Sequence, residues 1–173
     1  MKRIILVNGV PASGKSTVAR ELSRATGWPL LALDTIKEAF FDHLGTGDRA
    51  YNRRFGQASY QAMFDLVRDF PDGSGAVADA WFGFQPVEVL EAHIARAGIG
   101  KVAEVWCHAP PAVVAERYHA RLAQRSAGHL GADYIPELTD LAARARPIGK
   151  WTLAEVDTTQ PLDLKALVAR VNN

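Results

Sequence analysis

Eight residues near the start of the chain, Gly9-Val10-Pro11-Ala12-Ser13-Gly14-Lys15-Ser16, restrict its fold more than any other stretch. They follow the apolar run Ile4-Ile5-Leu6-Val7 and lead into Lys15 to Thr26, where Val18, Leu22 and Ala25 recur at helical spacing. The order therefore reads strand, glycine loop, helix. A loop in that setting turns its backbone N–H groups onto an anion, and the helix behind it adds unpaired N–H groups and roughly half a positive charge from its dipole. The two glycines let the chain wrap closely. Lys15 then reaches the β- and γ-phosphates of a nucleotide, and the Ser16 hydroxyl sits on Mg²⁺. On this reading Gly9 through Ser16, with Thr17 behind them, hold the phosphates; the other reading is a glycine turn that binds nothing.

Composition sets the outer bounds. With 173 residues, 48% of them apolar and 23% charged, the chain is long enough for a real core, and residues 1–173 are expected to form one domain. Twenty basic residues against 19 acidic ones leave a formal net charge of +1, so no global field draws the chain to nucleic acid or an anionic membrane. No apolar run reaches about 18 residues, and the stretch after Met1-Lys2-Arg3 is too brief for a signal peptide. A cytoplasmic location is the expectation. The single cysteine, Cys107, fits a reducing compartment and reads as a buried apolar residue.

Further along, Gly27 ends the first helix and Leu30-Leu31-Ala32-Leu33 reads as a short strand with Asp34 at its carboxyl end. A helix over Thr35 to Leu44 follows, then one over Gln57 to Arg68, with Asn52-Arg53-Arg54 as a polar connection between them. Ala76 to Trp81 reads as a third strand carrying Asp79, Val87 to Ala97 as a helix, and Lys101 to Cys107 as a fourth strand. Pro110-Pro111 starts a helix whose one face bears Val114, Tyr118 and Leu122 and whose other bears Arg117, Arg121 and Arg125. Ser126 to Pro147 reads as a mobile lid with a short helical piece near Leu138 and Leu141. Trp151 to Val156 is the fifth strand, at an edge, and Leu162 to Val171 the last helix. Strands alternating with helices imply an α/β fold with a five-stranded parallel sheet flanked by helices. The functional loops then gather at the strands' carboxyl ends.

Phosphoryl transfer asks a protein to hold the triphosphate, place the metal, align the acceptor and neutralise developing charge. Asp79 is the candidate second metal group beside Ser16, or else a surface acid at a strand end. Asp34 is the candidate for orienting an acceptor hydroxyl and taking its proton, or else a helix cap. Arg117 and Arg121 are candidates for the phosphates, ahead of Arg125, Arg144 and Arg146; the alternative is a solvated basic face. Trp81, Phe82 and Phe84 either wall an acceptor pocket, with Arg54 nearby, or pack in the core. The five histidines show no metal-ligand spacing and read as surface or loop residues.

With these residues in view, the chain resembles the small P-loop kinases of the nucleoside-monophosphate-kinase-like group. Within that group it is most similar to the chloramphenicol phosphotransferase family. The resemblance rests on Ile4 to Thr17, on Asp34 followed by Ile36-Lys37-Glu38-Ala39, on Val77-Ala78-Asp79 with Phe82, on the three arginines, and on Glu155-Val156-Asp157-Thr158-Thr159. It implies an ATP- and Mg²⁺-dependent kinase acting on the hydroxyl of a small molecule. Lys15 and Ser16 would then lie on phosphate and metal, Asp34 in the base position, and Asp157, Thr158 and Thr159 near the adenine. Asp48 to Asp72 and Ser126 to Trp151 do not match the pattern, so the resemblance does not carry the acceptor's identity over. Two other classes stay open: a kinase or binding module for nucleotide or nucleic-acid ends, and an ATP-dependent switch. The first would favour a basic surface, and the Asn-Lys-x-Asp guanine motif of GTP switches is absent.

Overall fold

The computed structural model describes residues 1–172. Five strands, β1 (Lys2–Asn8), β2 (Leu30–Ala32), β3 (Gly75–Ala80), β4 (Ile99–His108) and β5 (Thr152–Asp157), form one parallel sheet in the order β2-β3-β1-β4-β5. The inner strands are covered on both faces, which is why they read as mostly apolar runs, and β5 lies at an edge with its side chains partly exposed. Ile5 and Val7 face the helices α1 (Lys15–Thr26) and α7 (Leu164–Asn172), packing with Val18, Leu22, Leu167 and Val171. Ile4 and Leu6 face the opposite layer, α3 (Arg49–Arg68) and α4 (Val87–Arg96), through Tyr60, Phe64, Leu90 and Ile94. Cys107 is fully buried, and burial pushes its thiol up to about 12. Among the described residues no helix is long and apolar enough to cross a membrane.

Strand register brings three loops to one height. Asp79 pairs with Val7 on one side and with Ala32 on the other, so the entry to the glycine loop, Asp79 and the start of the next helix reach the carboxyl rim at one level. That helix, α2 (Leu33–Leu44), begins at Leu33 rather than Thr35, which draws Asp34 into its first turn.

Two expectations are corrected. The helix expected from Gln57 starts at Arg49, capped by Asp48, whose carboxylate accepts from the Tyr51 N–H at 2.8 Å; Asn52-Arg53-Arg54 is helix, not connection. Its first turns carry polar residues because they face a cavity rather than the core, so the apolar period starts late. The arginine helix α5 (Pro111–Ala120) stops before Arg121, tightens into a 3-10 turn over Leu122–Gln124 and leaves Arg125 extended. Arg117, Arg121 and Arg125 therefore do not share one helix face. The helical piece expected near Leu138 and Leu141 is present as a ten-residue helix, α6 (Ile135–Arg144), docked on α5 through a fully buried Leu138 against Val114 and Tyr118.

Candidate active site

The glycine loop sits where β1 ends. Gly14 adopts φ 90°, and a Cβ there would come within 2.9 Å of the Thr158 side chain, so only glycine lets the loop close against the β5 exit. Gly9, at φ 156°, is enclosed in the same way by the Cys107 carbonyl and the Ser13 side chain. The first turn of α1 holds no acidic residue and its N-cap makes no side-chain hydrogen bond, so no carboxylate competes there with an anion.

Beside the loop lies a cavity of about 1130 Å³. Lys15, Arg20, Lys37, Arg49, Arg53, Arg117, Arg121 and Arg125 line it, against four carboxylates, Asp34, Glu38, Asp79 and Asp133. Asp79 is 6% exposed and its Oδ1 has no hydrogen-bond partner among the described residues. Burial pushes its carboxyl up, while the Lys15 ammonium and the Ser16 hydroxyl pull it back. A buried carboxylate with one oxygen left unpartnered is a position that gains from a cation. Asp34 is exposed on the cavity wall and makes no hydrogen bond among the described residues; Ala32 holds the cap position of α2, and no side chain caps that helix. The cap reading of Asp34 is therefore set aside.

The arginines divide their contacts. Arg117 Nη1 and Nη2 donate to the hydroxyl and carbonyl of Thr158 at 2.9 and 3.0 Å. The Thr158 hydroxyl donates to the Ser13 carbonyl at 2.6 Å. Arg117 thus braces the glycine loop through Thr158. Among the described residues Arg121 donates only its Nε, to the Arg117 carbonyl at 3.2 Å, and its outer N–H groups stay unspent. Burial lowers its pKa, and Arg125, Arg117 and Arg20 add to the effect. The Arg125 guanidinium lies over the Tyr118 ring, 4.7 Å from its centroid.

Of the aromatic candidates, Trp81 and Phe84 line the cavity, whereas Phe82 is 2% exposed and packs in the core against Tyr60. Arg54 does not line it either. On α3 the wall is made by Arg49, Asn52, Arg53 and Gly56, the i, i+3, i+4, i+7 set, and one further residue turns Arg54 away. Arg144 and Arg146 also lie off the cavity. Sequence reading passed over Arg20, which the i, i+4 spacing from Ser16 puts on the loop-facing side of α1, and Lys37, one turn beyond Asp34. It also passed over His129. That ring was expected at the surface or in a loop; it is in a loop, but its side chain is only 6% exposed, and its Nε2 lies 2.7 Å from Glu38 Oε1.

Residues 4–134 match the family model described as AAA domain. No curated protein matches the chain. Among solved structures, a "putative kinase" from Chloroflexus aurantiacus J-10-fl is 28% identical with a TM-score of 0.81, over 99% of this chain and 97% of that one. The APS kinase of Mycobacterium tuberculosis, in complex with AMPPNP and APS, is 17% identical with a TM-score of 0.64, over 99% and 98% of the two chains. A gluconokinase from Sinorhizobium meliloti 1021 is 21% identical with a TM-score of 0.60, over 98% and 89%. The last two share the fold.

Proposed function

Because the chain belongs to the AAA domain family and has the fold of small P-loop kinases, we propose that it is an ATP- and Mg²⁺-dependent phosphotransferase. It moves the γ-phosphate to a hydroxyl of a small molecule, as chloramphenicol phosphotransferases do. One observation carries the reading: the glycine loop, the unpartnered Asp79 beside Ser16, and Asp34 all border one cavity at the same level of the sheet rim.

In this reading the loop amides and the first N–H groups of α1 hold the triphosphate, and Lys15 and Arg121 take up negative charge on its β and γ groups. Arg117 acts through Thr158, keeping the loop in shape, and Thr158 lies against the nucleotide on the side of Gly14. Ser16 would hold Mg²⁺ directly and Asp79 through water. No cluster of three metal-binding side chains exists among the described residues, which suits an ion that keeps several waters and shares phosphate oxygens. When bound, the metal neutralises charge on the transferring group. Asp34 accepts the hydrogen bond of the attacking hydroxyl, fixes its direction and receives its proton late in the transfer. Trp81 and Phe84 exclude water from the acceptor side, and the segment over about residues 126–147 acts as the lid.

A screen of hydroxylated metabolites and antibiotics for stimulated ADP release tests the reading. Lys15→Ala is expected to lose both AMPPNP binding and transfer. Asp34→Asn should keep AMPPNP binding but lose transfer by about a hundred to ten-thousandfold. An Asp34→Asn enzyme of full activity, or a wild-type protein that does not bind AMPPNP, overturns it.

A further inference from the structure

We infer that the acceptor is itself an anion, a small hydroxylated acid whose carboxylate or phosphate is received by Lys37 and Arg53. The inference rests on the kinase reading and names the class of molecule that reading leaves open.

The acceptor side of the cavity is built by α2, α3 and the loop that carries His129. Most of its polar groups are already spent inside the protein. Glu38 meets His129, and Arg49 makes two hydrogen bonds to Glu137, at 2.6 and 3.0 Å. Asn52 donates to the carbonyls of Gly47 and Gly128. Two cations are left over. Lys37 forms no ion pair among the described residues, and its one aromatic contact is the Phe41 ring, 5.2 Å away. Arg53 gives one N–H to the Phe84 carbonyl at 3.2 Å and meets no carboxylate among the described residues.

Electrostatics sharpen the point. Burial pulls the Lys37 ammonium below its usual range; Asp34 opposes this, and Arg125 adds to it. Of the two carboxylates acting on Lys37, Glu38 is committed to His129 and Asp34 faces the reacting hydroxyl. A desolvated ammonium in the field of a guanidinium, here that of Arg125, is unfavourable alone and is relieved by an oxyanion beside it. A neutral alcohol would leave both Lys37 and Arg53 without an anionic partner.

Spacing limits the ligand's size. Asp34 and Lys37 are three residues apart on one helix face, a separation of about 5 Å. The phosphorylated hydroxyl and the anionic group then lie about three or four bonds apart, with Trp81 and Phe84 against the carbon frame. A nucleic-acid end would also bring charge, but its chain needs a way out. On this side three bridges, Glu38 to His129, Asn52 to Gly128 and Arg49 to Glu137, already join α2 and α3 to the segment beyond Arg125.

The test is made on protein saturated with AMPPNP and Mg²⁺, so that the phosphate sites are filled. Matched pairs are titrated by calorimetry: D-gluconate against D-glucitol for a carboxylate, glucose 6-phosphate against glucose for a phosphate. The charged member of at least one pair is expected to bind at least tenfold tighter than its neutral partner. At AMPPNP saturation, Lys37→Met with Arg53→Met should abolish that preference, and Lys37→Arg should retain it. No charged member binding tighter than its partner, or a preference that survives the double substitution, overturns the inference. A 5′-hydroxyl oligonucleotide binding tighter than every small acid overturns it in favour of a nucleic-acid end. Failure to bind AMPPNP at all would sink the kinase reading instead.

Discussion

Glu104 lies in β4 with no exposure to solvent. One of its oxygens accepts from Asn8 Nδ2 at 2.8 Å and from the Ile148 N–H at 2.9 Å, and the other accepts from the Gly149 N–H at 2.9 Å. Asn8 in turn accepts from the N–H groups of Gly9 and Phe82. A single carboxylate therefore ties together the root of the glycine loop, the exit of β3 and the chain returning from α6 to β5. Glu104→Gln keeps the shape but turns an amide N–H toward a neighbouring donor, so one buried group loses its partner. We expect a loss of about 1–3 kcal/mol, read as a lower urea midpoint at unchanged slope. A variant that unfolds at the wild-type midpoint would mean that the network contributes no net stability. Glu104 stands among apolar residues in Ala103-Glu104-Val105, and an acid in a strand buried on both faces was a readable sign of such a network. Its partners at positions 148 and 149 were not readable, because backbone donors carry no side-chain signature.

At the scale of elements, the segment from Ser126 onward is fastened to the rest by its own residues. Leu138 is buried against α5, the Tyr118 hydroxyl donates to the Leu130 carbonyl at 2.7 Å, and the His129 ring packs edge-on against Phe41. Burial pushes the His129 pKa below its usual 6.5. Asp34 opposes this, Arg125 reinforces it, the bond to Glu38 opposes it and Lys37 reinforces it. Contact with Glu38 alone would favour the protonated ring, but burial outweighs it. Below about pH 6.5 the unfolded chain then binds a proton that the folded chain resists, so this contribution to stability is full above that pH and falls on acidification. His129→Gln should flatten the fall in unfolding free energy between about pH 6.5 and 5; a wild type and variant with parallel pH profiles would exclude the effect. The same segment shows where sequence reading stops. The inner strands were legible because burial on both faces makes them mostly apolar, and α1, α4 and α7 because their apolar period is regular. The start of α3 was hidden, since its polar first turns face a cavity, and that displaced attention from Arg53 to Arg54. The docking of α6 depends on pairs such as Arg49 with Glu137, 88 positions apart, which no local period records.

Over the whole molecule the charge nearly cancels, at +1, while the cavity gathers eight cationic side chains against four carboxylates. The remaining surface therefore carries a slight acidic excess, and the positive potential is concentrated at one rim of the sheet. Such a distribution draws a compact polyanion into the cavity and gives a long one little to hold elsewhere. Arg20 belongs to this set: it lines the cavity, forms no ion pair among the described residues, and adds to the charge that depresses the Arg121 pKa. Arg96 is the contrasting case. It closes α4 at the opposite rim, paired with Asp65 at 2.8 Å, a strand length of about 20 Å from the glycine loop and so beyond the Debye length of about 10 Å at 0.1 M salt. AMPPNP·Mg²⁺ affinity should accordingly weaken about tenfold between 50 and 500 mM NaCl. Arg20→Gln should weaken it several-fold at low salt and make that dependence shallower, whereas Arg96→Gln should change neither. Titration calorimetry across the salt series decides the matter. If Arg96→Gln proves as damaging as Arg20→Gln, the field acts through the molecule's total charge and not through the cavity, and the concentration of cations at the rim loses its meaning for binding.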